Sequence, residues 1–311
     1  MSTLFITHPA FKNHDTGPGH PERPDRMRAI DAVIAQESFN GLIREEAPQA
    51  DFEALKLVHP AEYIETIREA APEQGLIYLD GDTVMSPGSL EAALRAVGAG
   101  LRAVDAVMKG DAKNAFCSIR PCGHHAEPSR AMGFCIFSSI AIAGKYAREK
   151  HGAKRIAVVD FDVHHGNGTQ AAFWNDKDLF FASTHQMPLY PGTGAPNETG
   201  VANNIVNAPL RSGDGGEKFK AAFNDRILPA LRNFAPDVVL ISAGFDAHRN
   251  DPLASLELVE EDFGWATTKL LEIAEETAGG RVVSMLEGGY DLRGLAGSVA
   301  VHVKTLMEAS Q

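Results

Sequence analysis

At 311 residues, with 44% hydrophobic and 23% charged, the chain is long enough to bury a large core and has the composition of a soluble globular protein. A formal net charge of −12 argues against binding nucleic acid through its phosphates, which needs a basic surface. Three cysteines form no paired framework and point to a reducing compartment, with the cytoplasm the expected location. The first fifteen residues hold only a three-residue apolar run, and no stretch approaches the roughly 18 apolar residues of a membrane span. Neither a signal peptide nor a membrane partner is expected.

In chain order, residues 4–7 read as a strand, followed by an irregular loop, HPAFKNHDTGPGHPERPDR. Apolar spacing predicts helices over 26–36 and 51–70. A polar loop over 80–87 ends on Ser86 and Pro87, read as cap and first residue of a helix over 90–109. Regular alternation follows: strand 115–119, helix 134–150, strand 155–161, helix 168–174, strand 179–183, then a long loop over 187–204. Helix 219–234, strand 237–242, helix 262–277, strand 281–286 and helix 292–308 complete the chain. This order predicts an α/β fold, a mainly parallel multi-stranded sheet with helices on both faces. No linker or internal repeat interrupts it, so a single domain over residues 1–311 is expected.

The stretch 155–170, RIAVVDFDVHHGNGTQ, is the centre of the pattern. A β-branched run suited to a buried strand ends abruptly in Asp160, Asp162, His164, His165 and Asn167. Carboxylates and imidazoles together at a strand end are costly to desolvate without a cation. Asp162 and His164, two apart, point to one face of an extended segment. Polar exceptions also follow the other strands: His124 and His125 after 115–119, Asp246 after 237–242, Glu287 and Tyr290 after 281–286. In a parallel sheet these sets share one edge, where ligands gather.

Two carboxylates and one imidazole, from Asp162, His164 and Asp246, would hold a divalent cation and leave a position open for water. His124 and His125 would be acid/base groups, each needing a partner to fix its tautomer, with Asp160 and Asn167 the candidates. Tyr290, lifted on the Gly288 and Gly289 turn, could donate a hydrogen bond to a developing oxyanion. Together these groups specify hydrolysis of an acyl bond. Cys122 and Cys135, outside any CxxC, read as buried thiols.

The stretches GHPERPDR, RPCGHHA, MGFCIF, DFDVHHGNGTQ, YPGTG, SAGFDAHRNDPL and LEGGYDL, spanning residues 19 to 292, resemble the zinc-dependent histone deacetylase family. That family includes bacterial deacetylase-like amidohydrolases and acetylpolyamine amidohydrolases. The HHGNG form with Asn167 looks more like class II than class I. The resemblance implies an arginase/deacetylase-like fold and one Zn2+ on Asp162, His164 and Asp246. It makes His125 the base and His124, hydrogen-bonded to Asp160, its electrostatic partner; Tyr290 would polarise the substrate carbonyl. Phe134 and Tyr190, with Gly133 beside them, would wall an acyl-lysine tunnel. Asp82 would be a rim acid, Arg26 an internal-channel arginine, and Leu253 stands where polyamine-specific relatives carry an acid. One K+ would use Asp160, Asp162, His164, Ser183 and Thr184, and a second the carbonyls near Phe173, Asp176, Leu179 and Asn204.

The chain departs from the family at Cys122, where Pro is usual, and at Ser138 and Ser139, where Asn is usual. The expected substrate is an acylated lysine or small acylated amine, and the sequence is compatible with a homo-oligomer. Acetylpolyamine hydrolysis is the nearest alternative. An arginase-like hydrolase would need more paired acids than AGFDAHRNDP holds, and a non-catalytic acyl-binding protein would not need the full constellation.

Overall fold

Apolar runs become the central strands of this molecule, and the order in which they pair decides where its polar groups meet. The computed structural model describes residues 2–310. In chain order the strands are β1 (Thr3–Thr7), β2 (Ile43–Glu46), β3 (Ile77–Tyr78), β4 (Val84–Met85), β5 (Asn114–Cys117), β6 (Ile156–Asp160), β7 (Leu179–Gln186), β8 (Ile205–Leu210), β9 (Val238–Ala243) and β10 (Val282–Leu286). The helices are α1 (Asp25–Ile34), α2 (Phe52–Leu55), α3 (Ala61–Ala70), α4 (Ser89–Lys109), α5 (Ser139–His151), α6 (Asn167–Phe173), α7 (Gly216–Ala222), α8 (Leu228–Phe234), α9 (Glu260–Ala278) and α10 (Leu292–Ala309).

Eight strands form one sheet in the order β2-β1-β5-β10-β9-β6-β7-β8, every pairing parallel. Strands β3 and β4 make a separate antiparallel hairpin. Helices α4 and α5 pack together on the sheet, and α9, α10 and α1 form a second packed set. The expected α/β architecture is therefore present. Central strands β6, β9 and β10 are buried along their whole length, which accounts for their Val and Ile content. Register aligns Asp160 with Ser183 on one side and with Ser242 on the other. The chain thus leaves β6, β7 and β9 at one level, and the loops that follow converge on one rim.

Several boundaries differ from those the sequence predicts. Edge strands β2 and β8 carry no strand signal: β2 reads IREE and is largely exposed, while β8 contains Pro209. Proline cannot donate to a ladder and is tolerated at an edge. The helix expected over 51–70 is two helices, because Pro60 removes a donor and occupies the N-cap of α3. The helix expected over 219–234 widens into a π-type turn at Phe223–Ile227, just ahead of Pro229. Ser86 does not cap α4. Gly88 holds that position, and Ser86 instead accepts from Asp15 N–H at 2.9 Å.

The most consequential difference lies in residues 134–138, expected to be helical. Helix α5 starts only at Ser139, because Gly133 and Phe134 both adopt left-handed backbone conformations (φ 56° and 68°). A Cβ at Gly133 would overlap the ring of His125, so only glycine lets this loop lie against that imidazole. Phe134 carries a Cβ and holds its strained conformation at a rim position.

Candidate active site and metal centre

Asp162, His164 and Asp246 meet at the rim where β6 and β9 end. Their ligand atoms all lie within 4.8 Å of one another and all three residues are buried. His164 Nδ1 is 3.2 Å from Asp162 Oδ1 and 3.1 Å from Asp246 Oδ2. Ligands about 2.0–2.2 Å from a tetrahedral ion stand roughly 3.3 Å apart, so this donor set fits a zinc-sized cation. The remaining carboxylate oxygens are held by backbone. Val163 N–H donates to Asp246 Oδ1 at 2.8 Å, and Gly288 N–H donates to Asp162 Oδ2 at 2.8 Å. A Cβ at Gly288 would overlap both carboxylates, which explains the glycine there.

The two histidines after β5 lie side by side at this centre, their rings tilted by 43° with centroids 4.0 Å apart. His124 Nδ1 donates to Asp160 Oδ2 at 2.9 Å, and His125 Nδ1 pairs with Asn167 Oδ1 at 2.8 Å. The environments push them in opposite directions. Burial opposes charge on His124, but Asp162, Asp160 and Glu287 overcome it and hold the ring well above its ordinary 6.5. Burial, then the neighbouring His124 and His164, hold His125 well below 6.5. The surroundings thus favour the charged form of one imidazole and the neutral form of the other.

A cavity of about 230 Å3 opens onto this group, lined by Asp82, His125, Gly133, Phe134, His164, Leu189, Tyr190, Leu253 and Tyr290. Phe134 and Tyr290 face each other edge-on at 5.8 Å, and Tyr190 stands edge-on to His125 at 5.2 Å. A larger hollow of about 440 Å3 beside Lys113 and Glu275 lies at the opposite end of the sheet, before β5 and β10, and no histidine, cysteine or aspartate lines it.

The sequence profile of the histone deacetylase domain matches residues 20–306. The chain belongs to the histone deacetylase family. It is 39% identical to Histone deacetylase 10, chloroplastic, of Oryza sativa subsp. japonica, over 96% of this chain and 71% of that one. It is also 39% identical to a Histone deacetylase-like amidohydrolase of Pseudomonas aeruginosa, over 88% of this chain and 73% of the relative. The crystal structure of the HDA15 HD domain superposes with a TM-score of 0.93 at 34% identity, covering 99% of this chain and 89% of that one. Membership makes this protein a hydrolase acting on amide bonds. No helix among the described residues is long and apolar enough to cross a membrane.

Within this histone deacetylase fold, the other expected residues fall into different places. Arg26 is fully buried and lies behind Tyr290 rather than in the cavity, its guanidinium 5.0 Å from the tyrosine ring. It donates to the carbonyls of Gly289 and Glu287 and to Glu22, so its contribution is to brace the tyrosine turn. Asp160 stands opposite Ser183 in the β6–β7 pairing, and Thr184 Oγ1 is buried with no partner. At the second expected K+ set, Asn204 Nδ2 lies 3.0 Å from Phe173 O, 3.1 Å from Asp176 O and 2.8 Å from Leu179 O. An amide nitrogen therefore stands at the point on which the three carbonyls converge.

Sequence reasoning passes over several residues of the site. Glu287 is marked only by position; its Oε2 accepts from Gly123 and His124 N–H (2.7 and 3.2 Å) and its Oε1 from Ser242 Oγ at 3.1 Å. Those bonds occupy it, so its closeness to Cys122 and Cys135 makes no second metal centre. The two thiols touch at 3.2 Å and are free. Asp251 accepts from Tyr290 N–H at 2.7 Å, and burial plus Asp246 push its carboxyl up to about 7. Leu189 walls the cavity from a loop whose composition shows only irregularity.

Proposed function

We propose that this chain is a zinc-dependent deacetylase, acting as one catalytic domain over residues 1–311. It removes acetyl or another short acyl group from the ε-amine of lysine or a similar primary amine. The observation that carries the reading is the convergence of Asp162, His164 and Asp246 beside the hydrogen-bonded pair His124 and His125, at the floor of a narrow cavity. Zinc bound there supplies Lewis acidity, polarising the acyl carbonyl and lowering the pKa of water.

The chain's own groups do the rest. His125, with Nδ1 engaged by Asn167, has Nε2 available to take a proton from water and return it to the departing amine. His124 stays protonated against Asp160 and offsets negative charge as it develops. Tyr290 keeps its hydroxyl proton, because burial and the nearby Cys122 hold it well above its ordinary 10 despite Arg26, and it donates to the carbonyl oxygen. Phe134 and Tyr190 restrict the cavity to a slender acyl-amine arm, and Asp82 at its mouth accepts from the substrate backbone. One K+ beside Asp160 suits the orphaned Thr184 hydroxyl. A reducing compartment such as the cytoplasm suits the free thiols.

The decisive test is metal analysis of the purified protein with turnover of an acetyl-lysine peptide before chelation, after it, and after zinc is restored. Turnover that survives complete chelation would remove the metal from the mechanism. Asp246→Ala is expected to lose most of its zinc together with activity, and retention of a full equivalent would show that the ion sits elsewhere. Tyr290→Phe should keep its zinc while kcat falls by about 10²–10³, the usual loss on removing one oxyanion donor. A second reading, acetylpolyamine hydrolysis, is favoured by the net charge of −12. Leu253 in the cavity wall, where an acid would recognise a second amine, weighs against it. Comparing kcat/KM for acetyl-lysine peptide and N-acetylputrescine separates the two.

A further inference from the structure

A neutral amide is an ambiguous partner for a catalytic imidazole. Asn167 can present either its oxygen or its nitrogen to His125 Nδ1 by a half-turn about its last side-chain bond, with almost no change in shape. Only the oxygen-forward orientation requires Nδ1 to carry the proton and leaves Nε2 with its lone pair. The reversed amide would place the proton on Nε2, where a base needs none.

The far side of the amide removes the ambiguity. Asn167 Nδ2 lies 2.8 Å from Glu127 Oε1 and 3.3 Å from Met132 Sδ. An ionised carboxylate and a thioether can only accept, so reversing the amide would set its oxygen against two acceptors. Glu127 is itself fixed by a short turn, in which its N–H donates to Arg130 O at 2.9 Å and Arg130 N–H returns to Glu127 O at 3.3 Å. Asn167 is fixed too, because Gly168 and Thr169 N–H both donate to His124 O (2.9 and 3.2 Å), tying the start of α6 to the histidine loop.

We propose that Glu127 is a positioning residue for the hydrolysis: through the chain Glu127–Asn167–His125 it locks the Asn167 amide and thereby sets the tautomer of the base. This rests on His125 being the base, as proposed above. An aspartate at position 167 would accept from His125 whichever oxygen it offered; an asparagine needs a third member, and Glu127 supplies it.

The test uses the zinc-loaded full chain with an acetyl-lysine peptide, comparing Glu127→Gln, Asn167→Asp and the double variant, with His125→Ala in parallel. Glutamine at position 127 can donate as well as accept, so the amide at position 167 is released. Glu127→Gln is expected to lower kcat about tenfold or more, with KM and zinc content held, as for loss of other partners that orient a site histidine. The ring-nitrogen chemical shifts of His125 should then show Nε2 partly protonated. In the double variant the exchanged pair restores a single orientation, since the introduced glutamine donates and the introduced aspartate only accepts; kcat should recover well above that of Glu127→Gln and of Asn167→Asp. The proposal is overturned if Glu127→Gln keeps the parental kcat, if the His125 tautomer does not change, or if the double variant is no better than Glu127→Gln. Loss of activity in His125→Ala with a normal Glu127→Gln would sink this role alone. Full activity in His125→Ala would sink the base assignment and Glu127 with it.

Discussion

His125→Ala is expected to lower kcat for an acetyl-lysine peptide by about 10²–10⁴, the span associated with removing a positioned proton-transfer group, while zinc stays bound. Zinc should survive because the three donor atoms belong to Asp162, His164 and Asp246, whose remaining oxygens are held by Val163 and Gly288 backbone. His125 contributes no atom to that set; its ring is held by Asn167 and lies against His124. The parent's pH profile supplies a second check. A base must be neutral to accept a proton, and burial beside His124 and His164 holds His125 well below 6.5. The acid limb of kcat/KM is therefore expected below pH 6.5. Zinc lost in parallel with activity would mean that a ligand had been misassigned, and an unchanged rate would move the base elsewhere.

Glu22→Gln is expected to cost about 3–5 kcal/mol of stability, the usual result of leaving buried charges without their counter-ion. Glu22 is wholly buried and accepts from both Arg120 Nε and Arg120 Nη2, from Arg26 Nη1 at 3.1 Å, and faces His14 Nε2 at 3.3 Å. Burial by itself would raise its carboxyl, but Arg120 and His14 outweigh it and hold the group well below 4.5. A carboxyl depressed on folding contributes stability above pH 4.5, which is lost as pH falls through the folded value. The difference between parent and variant, measured by urea unfolding, should therefore be largest near neutrality and shrink in acid. A gap that stayed constant with pH would assign the loss to packing rather than to charge. Arg26 also braces the Tyr290 turn, so activity should fall with stability rather than independently of it.

Much of the site is legible in the chain because it is written locally. A β-branched run followed within a few residues by Asp160, Asp162 and His164 marks a strand end, and 115–119, 237–242 and 281–286 repeat the pattern. Alternation of period and turn residues does not require knowledge of what lies opposite. The loop 134–138 reads as helix for the same local reason: its apolar content continues that of α5. The backbone there is set instead by the close approach of Gly133 to the His125 ring, a contact within the same β5–α5 connection that a local apolar pattern does not show.

What the amino-acid sequence determined unaided is the alternation of strand and helix, the polar residues at the strand ends and, by resemblance, the family. Pairing decided the remainder. Strand order β5-β10-β9-β6 runs against chain order, and it brings Asp246 and Gly288 to Asp162 and His164 across more than eighty residues. The contacts of Glu22 with Arg120, 98 residues away, and of Glu127 with Asn167, 40 away, arise only after that order is set. So does the amide of Asn204 filling a carbonyl ring. Such contacts have no periodicity to read, since each depends on distances between elements that only the packed sheet establishes.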